Sequence, residues 1–100
     1  MTGDRLFGLD GKIAAVIGAG SGIGEAVAVG CARQGATVRC LDVDLDAATE
    51  TAETIVANGN LADAGRLDIT DARSVDDALN WVVEHQGGLD IVVCTPGVNV

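Results

Sequence analysis

The 100-residue chain contains no tyrosine, one lysine (Lys12), one proline (Pro96) and two aromatic residues, Phe7 and Trp81. Without aromatic bulk, a core must be built from Ala, Val, Ile and Leu, which suits buried parallel strands covered by close-packed helices. Six basic residues stand against 15 acidic ones, for a formal net charge of −9, and no Lys/Arg cluster is present. That excludes a nucleic-acid footprint and marks the acidity as a solvated outer helix surface. Apolar runs such as Ile13–Ile17 and Ile91–Cys94 fall far short of the ~20 residues of a membrane span. Residues 1–11 hold Asp4, Arg5, Asp10 and three glycines rather than the apolar stretch of a signal peptide. The expectation is a soluble, cytoplasmic protein bound to neither membrane nor nucleic acid. Cys31, Cys40 and Cys94 are odd in number and form no CxxC, so they read as free, buried, small apolar residues rather than disulfides or zinc ligands.

What is present alternates between strand and helix. Lys12–Ile17 is a short apolar run ending in glycines. Ile23, Ala26, Val27, Gly30 and Cys31 then recur at helical spacing. Gly30 lies on that face, where a missing side chain would let the helix approach the sheet, and Gly35 provides the stop. Thr37–Leu41 reads as a second strand. Ala48, Ala52, Ile55 and Val56 mark a second helix ending at Asn58-Gly59. Ala64–Leu67 is a third strand, weakened by Gly65. Thr70 or Asp71 caps a third helix striped by Val75, Ala78, Leu79, Val82 and Val83, which Gly87-Gly88 ends. Leu89–Cys94 is a fourth strand. This β-α-β-α-β-α-β order predicts an α/β fold: the first half of a doubly wound, Rossmann-type parallel sheet with strand order 3-2-1-4. The fourth strand would then be an edge although Ile91, Val92 and Val93 are apolar on both faces, an aggregation hazard. We therefore expect residues 1–100 to be the N-terminal part of one larger domain.

The loop after the first strand reads Gly18-Ala19-Gly20-Ser21-Gly22-Ile23-Gly24. A GxGxxG spacing fails: from Gly18 it meets Ile23, and from Gly20 it meets Glu25. GxxxGxG fits, at 18, 22 and 24. Gly18 turns the chain off the strand, Gly22 lets backbone approach a pyrophosphate, and Gly24 lets the helix pack tightly on the sheet. Ser21 and Ile23 belong to the same loop, whose N–H groups face phosphate at a helix N-terminus. A glycine turn alone is often structural. Here it lies between a strand and a helix, and Asp42 ends the next strand 18 residues after Gly24. A carboxylate there accepts both hydroxyls of an adenosine ribose, whereas a merely structural Asp42 would cap the strand end. It also repels a 2′-phosphate. Val43 and Asp44 follow it, Ser21 is not basic, and alternation turns Arg39 to the opposite face, so NAD is favoured over NADP. Asp68 ends the third strand before Ile69. The pair could hold an adenine amino group through the carboxylate and the Ile69 backbone, or Asp68 could be a turn or helix cap.

Together these residues resemble the short-chain dehydrogenase/reductase family, of the classical type, from about Leu9 onward. The resemblance rests on Leu9-Asp10-Gly11-Lys12, on Gly18, Gly22 and Gly24, on Asp42, on Asp68-Ile69-Thr70-Asp71, and on Gly88–Val93. It implies a pyridine-nucleotide oxidoreductase that moves a hydride between nicotinamide and an alcohol or carbonyl substrate. It further implies a homo-oligomer when the full domain is present, and a nicotinamide-side contact near Gly97. The family's catalytic Asn, Ser, Tyr and Lys cannot be placed in this chain, so no catalytic residue is assigned, nor any metal ligand. The chain also departs from the pattern at Ile17, where the family usually has Thr, and at Cys94-Thr95-Pro96-Gly97, where it has Asn-Asn-Ala-Gly. In the family, that Thr hydroxyl reaches the backbone of the second motif. Ile17 lacks the hydroxyl and Pro96 lacks an N–H, and loss of both partners is nearly neutral where loss of one is costly. A non-enzymatic dinucleotide-binding or redox-sensing module on the same fold, or an inactive truncated product, are the alternatives. His85, near a helix C-terminus, is expected to be a favourable terminal cation. Trp81, off the apolar stripe, is expected to be partly exposed.

Overall fold

A computed structural model describes residues 8–95. Strands and helices alternate as β1 (Ile13–Ile17), α1 (Gly22–Arg33), β2 (Thr37–Asp42), α2 (Leu45–Ala57), β3 (Ala62–Arg66), α3 (Ala72–Gln86) and β4 (Ile91–Cys94). The four strands form one parallel sheet in the order β3-β2-β1-β4, the Rossmann-type order expected. Parallel neighbours need a crossover: α1 joins β1 to β2, α2 joins β2 to β3, and α3 carries the chain from β3 back across the sheet to β4, beside β1.

Alternation along the strands divides the interior into two layers. Ala14 and Val16 of β1 and Val38 and Cys40 of β2 face α1 and α2, and pack with Ala28, Ala32, Ala48, Ala52 and Ile55. Ala15, Ile17, Leu41 and Leu67 face the other way, against Val75, Ala78 and Leu79 of α3. The helix ends follow from local chemistry. Asp44 caps α2 by accepting from Ala47 N–H, and Asp71 caps α3 by accepting from Arg73 and Ser74 N–H. Gly87, at φ 87°, closes α3 in the left-handed region.

Several expectations need correction. The fully buried residues of α1 are Gly24, Ala28 and Ala32; of the face expected from Ile23, Ala26, Val27, Gly30 and Cys31, Val27 and Cys31 pack on the core and are partly buried, while Ile23 and Ala26 are exposed. Ile23 is 76% exposed, and the space where a Gly30 side chain would point is empty. Eight of the twelve residues of α1 are Gly, Ala or Val, so an apolar stripe discriminates poorly; size does. The small residues at i, i+4 and i+8 let the helix axis approach β1. Strand β3 spans 62–66 rather than 64–67. Its interior Asp63 and Gly65 defeat an apolar-alternation reading because both serve Arg39. The guanidinium lies 3.2 Å from Asp63 Oδ1, passes over Gly65, and stacks 3.7 Å from the centre of the Trp81 ring. Trp81 is half-buried between Arg39 and the His85 ring, which stacks on it at 4.2 Å while its Nδ1 donates to the Trp81 carbonyl. β4 begins at Ile91, not Leu89. Val83 of α3 and Val92 of β4 stay about half exposed (47% and 50%), so β4 is an apolar edge.

The cysteines also differ among themselves. Cys40 is fully buried, and burial, reinforced by Asp63 and opposed by Arg39, pushes its thiol up to about 12. Burial raises Cys31 as well. Cys94, expected to be buried, is exposed. Since the thiolate is the reactive form, a thiol reagent at mildly alkaline pH should label Cys94 quickly and Cys40 only after denaturation. Equal labelling rates in the native protein would contradict this core.

Candidate functional site

The site lies at the carboxyl ends of the strands, where open parallel sheets bind ligands. After Ile17, Gly18 takes φ +88°, a left-handed conformation that strains any side chain. The Gly18 and Ala19 N–H groups both donate to the Leu41 carbonyl, at 2.7 and 3.0 Å, which anchors the loop to β2. Thr51, buried on α2, donates its hydroxyl to the Ala19 carbonyl at 2.8 Å. Thus both sides of Ala19 are tethered. Helix α1 then starts without a side-chain cap from Ser21. The N–H groups of Gly22, Ile23 and Gly24 precede the first intrahelical bond, from Glu25 N–H to the Ser21 carbonyl. Ser21, Gly22 and Ile23 are exposed, and nothing lies within 4 Å of where a Gly22 side chain would begin.

Asp42 is brought to this loop by the end of β2. Its Oδ2 accepts from Gly20 N–H at 2.9 Å and its Oδ1 from Asp44 N–H at 3.0 Å. The carboxylate is therefore oriented by two backbone donors. Gly20, to which sequence reasoning assigned no role, makes the contact possible. A side chain there would begin 2.7 Å from Ala47 Cβ and 2.8 Å from Asp42 Oδ2. The only available signal was a fourth glycine inside the loop, which the GxxxGxG spacing does not use. Thr51 gave no sequence signal, because a threonine on a helix reads as solvent-facing.

Asp68 and Ile69 follow β3 at the same edge. Asp68 N–H donates to Ser74 Oγ at 2.9 Å, while Asp68 Oδ1 accepts from the Thr70 hydroxyl at 2.6 Å and Thr70 N–H at 2.9 Å. Asp68 thus holds its own turn together. Ile69 is 47% exposed, and Val43, next to Asp42, is 56% exposed. With Ile23, these give three exposed apolar side chains after three successive strands. Val43 was read in sequence only as a non-basic neighbour. Gly97 lies outside the described residues. Among the described residues, no group of three His, Cys, Asp or Glu side chains is placed to hold a metal, and no helix is long and apolar enough to cross a membrane.

Comparison with known proteins decides the family. The model for short chain dehydrogenases matches residues 12–100. The chain belongs to the short-chain dehydrogenase family. It is 40% identical over 93 residues to versicolorin reductase 1 of Dothistroma septosporum, covering 92% of this chain and 35% of that protein. It is 35% identical to the 2,3-dihydro-2,3-dihydroxybenzoate dehydrogenase of Bacillus subtilis, covering 91% of this chain and 35% of that one. Among solved structures, a short-chain type dehydrogenase/reductase from Mycobacterium marinum superposes with a TM-score of 0.90 at 36% identity, covering all of this chain and 40% of that one. The chain thus spans about a third of the length of the curated short-chain dehydrogenases it matches. The family generally binds a nicotinamide cofactor, NAD or NADP.

The Asp68 turn yields a pH-dependent consequence. The Thr70 hydroxyl and then the Thr70 N–H, aided by Arg66, hold the Asp68 carboxyl below the usual carboxylate range. A depressed folded-state value means that the turn contributes stability above the unfolded-state value and loses it as pH falls through the folded one. In a carbon-detected NMR titration, Asp68 should titrate below an ordinary aspartate. Thr70→Val should move it back toward the usual range and shrink the acid-side loss of stability. Identical titrations in both proteins would refute the assignment.

Proposed function

We propose that this chain is the cofactor-binding part of an NAD-dependent oxidoreductase that transfers a hydride between nicotinamide and an alcohol or carbonyl substrate. The observation that carries the reading is the Asp42 carboxylate, fixed by Gly20 and Asp44 N–H beside the open first turn of α1. The donor set suits the adenosine half of a dinucleotide. Amides at an uncapped helix start favour a pyrophosphate. A fixed carboxylate favours a ribose diol, and exposed Ile23, Val43 and Ile69 offer apolar surface to flat rings. Gly18 and Gly24 shape the loop, Gly22 leaves backbone accessible, and Ser21 contributes an exposed hydroxyl. Asp68 and the Ile69 backbone are the candidates for the adenine amino group, and Gly97 for the nicotinamide side.

The choice of NAD rests on charge. The carboxylate of Asp42 disfavours a 2′-phosphate, and Arg39 is engaged on the far face of the sheet by Asp63 and Trp81. Once bound, the dinucleotide supplies the hydride chemistry; these residues bind and orient it. Proton transfer to the substrate oxygen requires an acid/base group, which we place outside these 100 residues. The full protein on this reading is a cytoplasmic homo-oligomer.

The test is a fluorescence titration with NADH and NADPH. Wild-type protein should bind NADH more tightly. Loss of charge-assisted hydrogen bonds in Asp42→Ala should weaken NADH by about ten- to a hundredfold and narrow the gap to NADPH. Equal affinities in wild type and Asp42→Ala would sink the NAD reading. No NADH binding by wild type would reject the cofactor role.

A further inference from the structure

The residue after β4 reaches back into the glycine loop. Thr95 N–H donates to the Ile17 carbonyl at 2.9 Å and continues the ladder between β4 and β1. The Thr95 hydroxyl adds something the ladder does not need. It donates to the same Ile17 carbonyl at 3.0 Å, with the Gly18 carbonyl at 3.4 Å as a second acceptor. These carbonyls belong to the last residue of β1 and the first residue of the loop. The hydroxyl therefore acts where the chain leaves the sheet.

Two glycines make room for it. A side chain on Gly18 would begin 2.7 Å from Thr95 Oγ1 and would overlap the Thr95 carbonyl. One on Gly24 would begin 2.5 Å from Thr95 Oγ1 and would overlap the Gly18 carbonyl. Gly18, Gly24 and the Thr95 hydroxyl form one packing unit that joins β1, α1 and β4. Its other tethers come from different elements: Leu41 accepts from Gly18 and Ala19 N–H, and Thr51 donates to the Ala19 carbonyl.

We propose that Thr95 is a positioning residue for the dinucleotide site, its hydroxyl holding the Gly18 turn so that the first-turn amides of α1 are presented in a fixed orientation. The proposal rests on the reading of the loop as the cofactor site. Valine at 95 keeps the shape and removes the donor, and serine keeps the donor. Native-state hydrogen exchange without ligand, followed by NADH titration, separates the outcomes. Thr95→Val should speed exchange of the Gly18 and Ala19 amides, and weaken NADH, by about five- to tenfold, the worth of one hydrogen bond. Exchange at Ala15 and Val16 within β1 should not change, and Thr95→Ser should restore both readouts. Unchanged exchange at Gly18 and Ala19 overturns the proposal. So does protection lost uniformly along β1, outright unfolding included, because Thr95 would then merely stabilise the sheet. If wild type fails to bind NADH, the cofactor reading itself falls, before any variant is compared. If wild type binds and Thr95→Val binds equally, the cofactor reading survives and the role of Thr95 does not.

Discussion

Gly24 lies so close to the Gly18 carbonyl that no side chain fits between them. This single close approach sets how helix α1 leaves strand β1, and the rest of the carboxyl edge is arranged around it. Because α1 starts there, its buried face is the small-residue line Gly24, Ala28 and Ala32, and the helix lies close over Ala14 and Val16. Because Gly18 must turn with a positive φ, its N–H and that of Ala19 are free to reach the Leu41 carbonyl of β2. The loop is thereby tied to the strand that ends in Asp42. Packing in the first layer thus dictates where the polar groups of the site meet.

Electrostatics then acts on that frame. Backbone donors at the loop and at the start of α2 converge on one carboxylate, and no cation is spent on it among the hydrogen bonds and ion pairs of the described residues. The nearest basic residue in β2, Arg39, is turned to the opposite face, where Asp63, Gly65 and Trp81 take it up. The two faces of the sheet therefore separate the anionic site from its most obvious neutralising partner. On the reading proposed above, that separation favours NAD over a cofactor carrying a 2′-phosphate.

The strand–helix alternation and the strand order were legible because each helix ends on a strong signal, such as Asn58-Gly59 or Gly87, and because β1 and β4 are apolar throughout and β2 carries Val38, Cys40 and Leu41. β3 was misplaced because Asp63 and Gly65 make sense only with Arg39, a long-range partner invisible to local patterning. The face of α1 was only partly right, at Val27 and Cys31 but not at Ile23, Ala26 and Gly30, because Gly, Ala and Val are interchangeable to a hydrophobicity pattern but not to a close approach. Gly18, Gly22, Gly24 and Asp42 could be picked out because their spacing follows from one strand–loop–helix–strand path. Gly20, Thr51 and Thr95 could not. Each acts through a contact between elements far apart in sequence, 22 residues for Gly20 with Asp42 and 78 for Thr95 with Ile17.

The central claim is that the Gly20–Asp42 corner and the first turn of α1 form one dinucleotide surface. An amide chemical-shift map recorded while NAD is added tests it most directly. The account predicts that Gly20, Gly22, Ile23, Gly24 and Asp44 shift together along one binding curve, while Glu53, Val56 and Ala64, which line the groove between α2 and β3, do not move. Shifts confined to that groove, or none at saturating NAD, would contradict it.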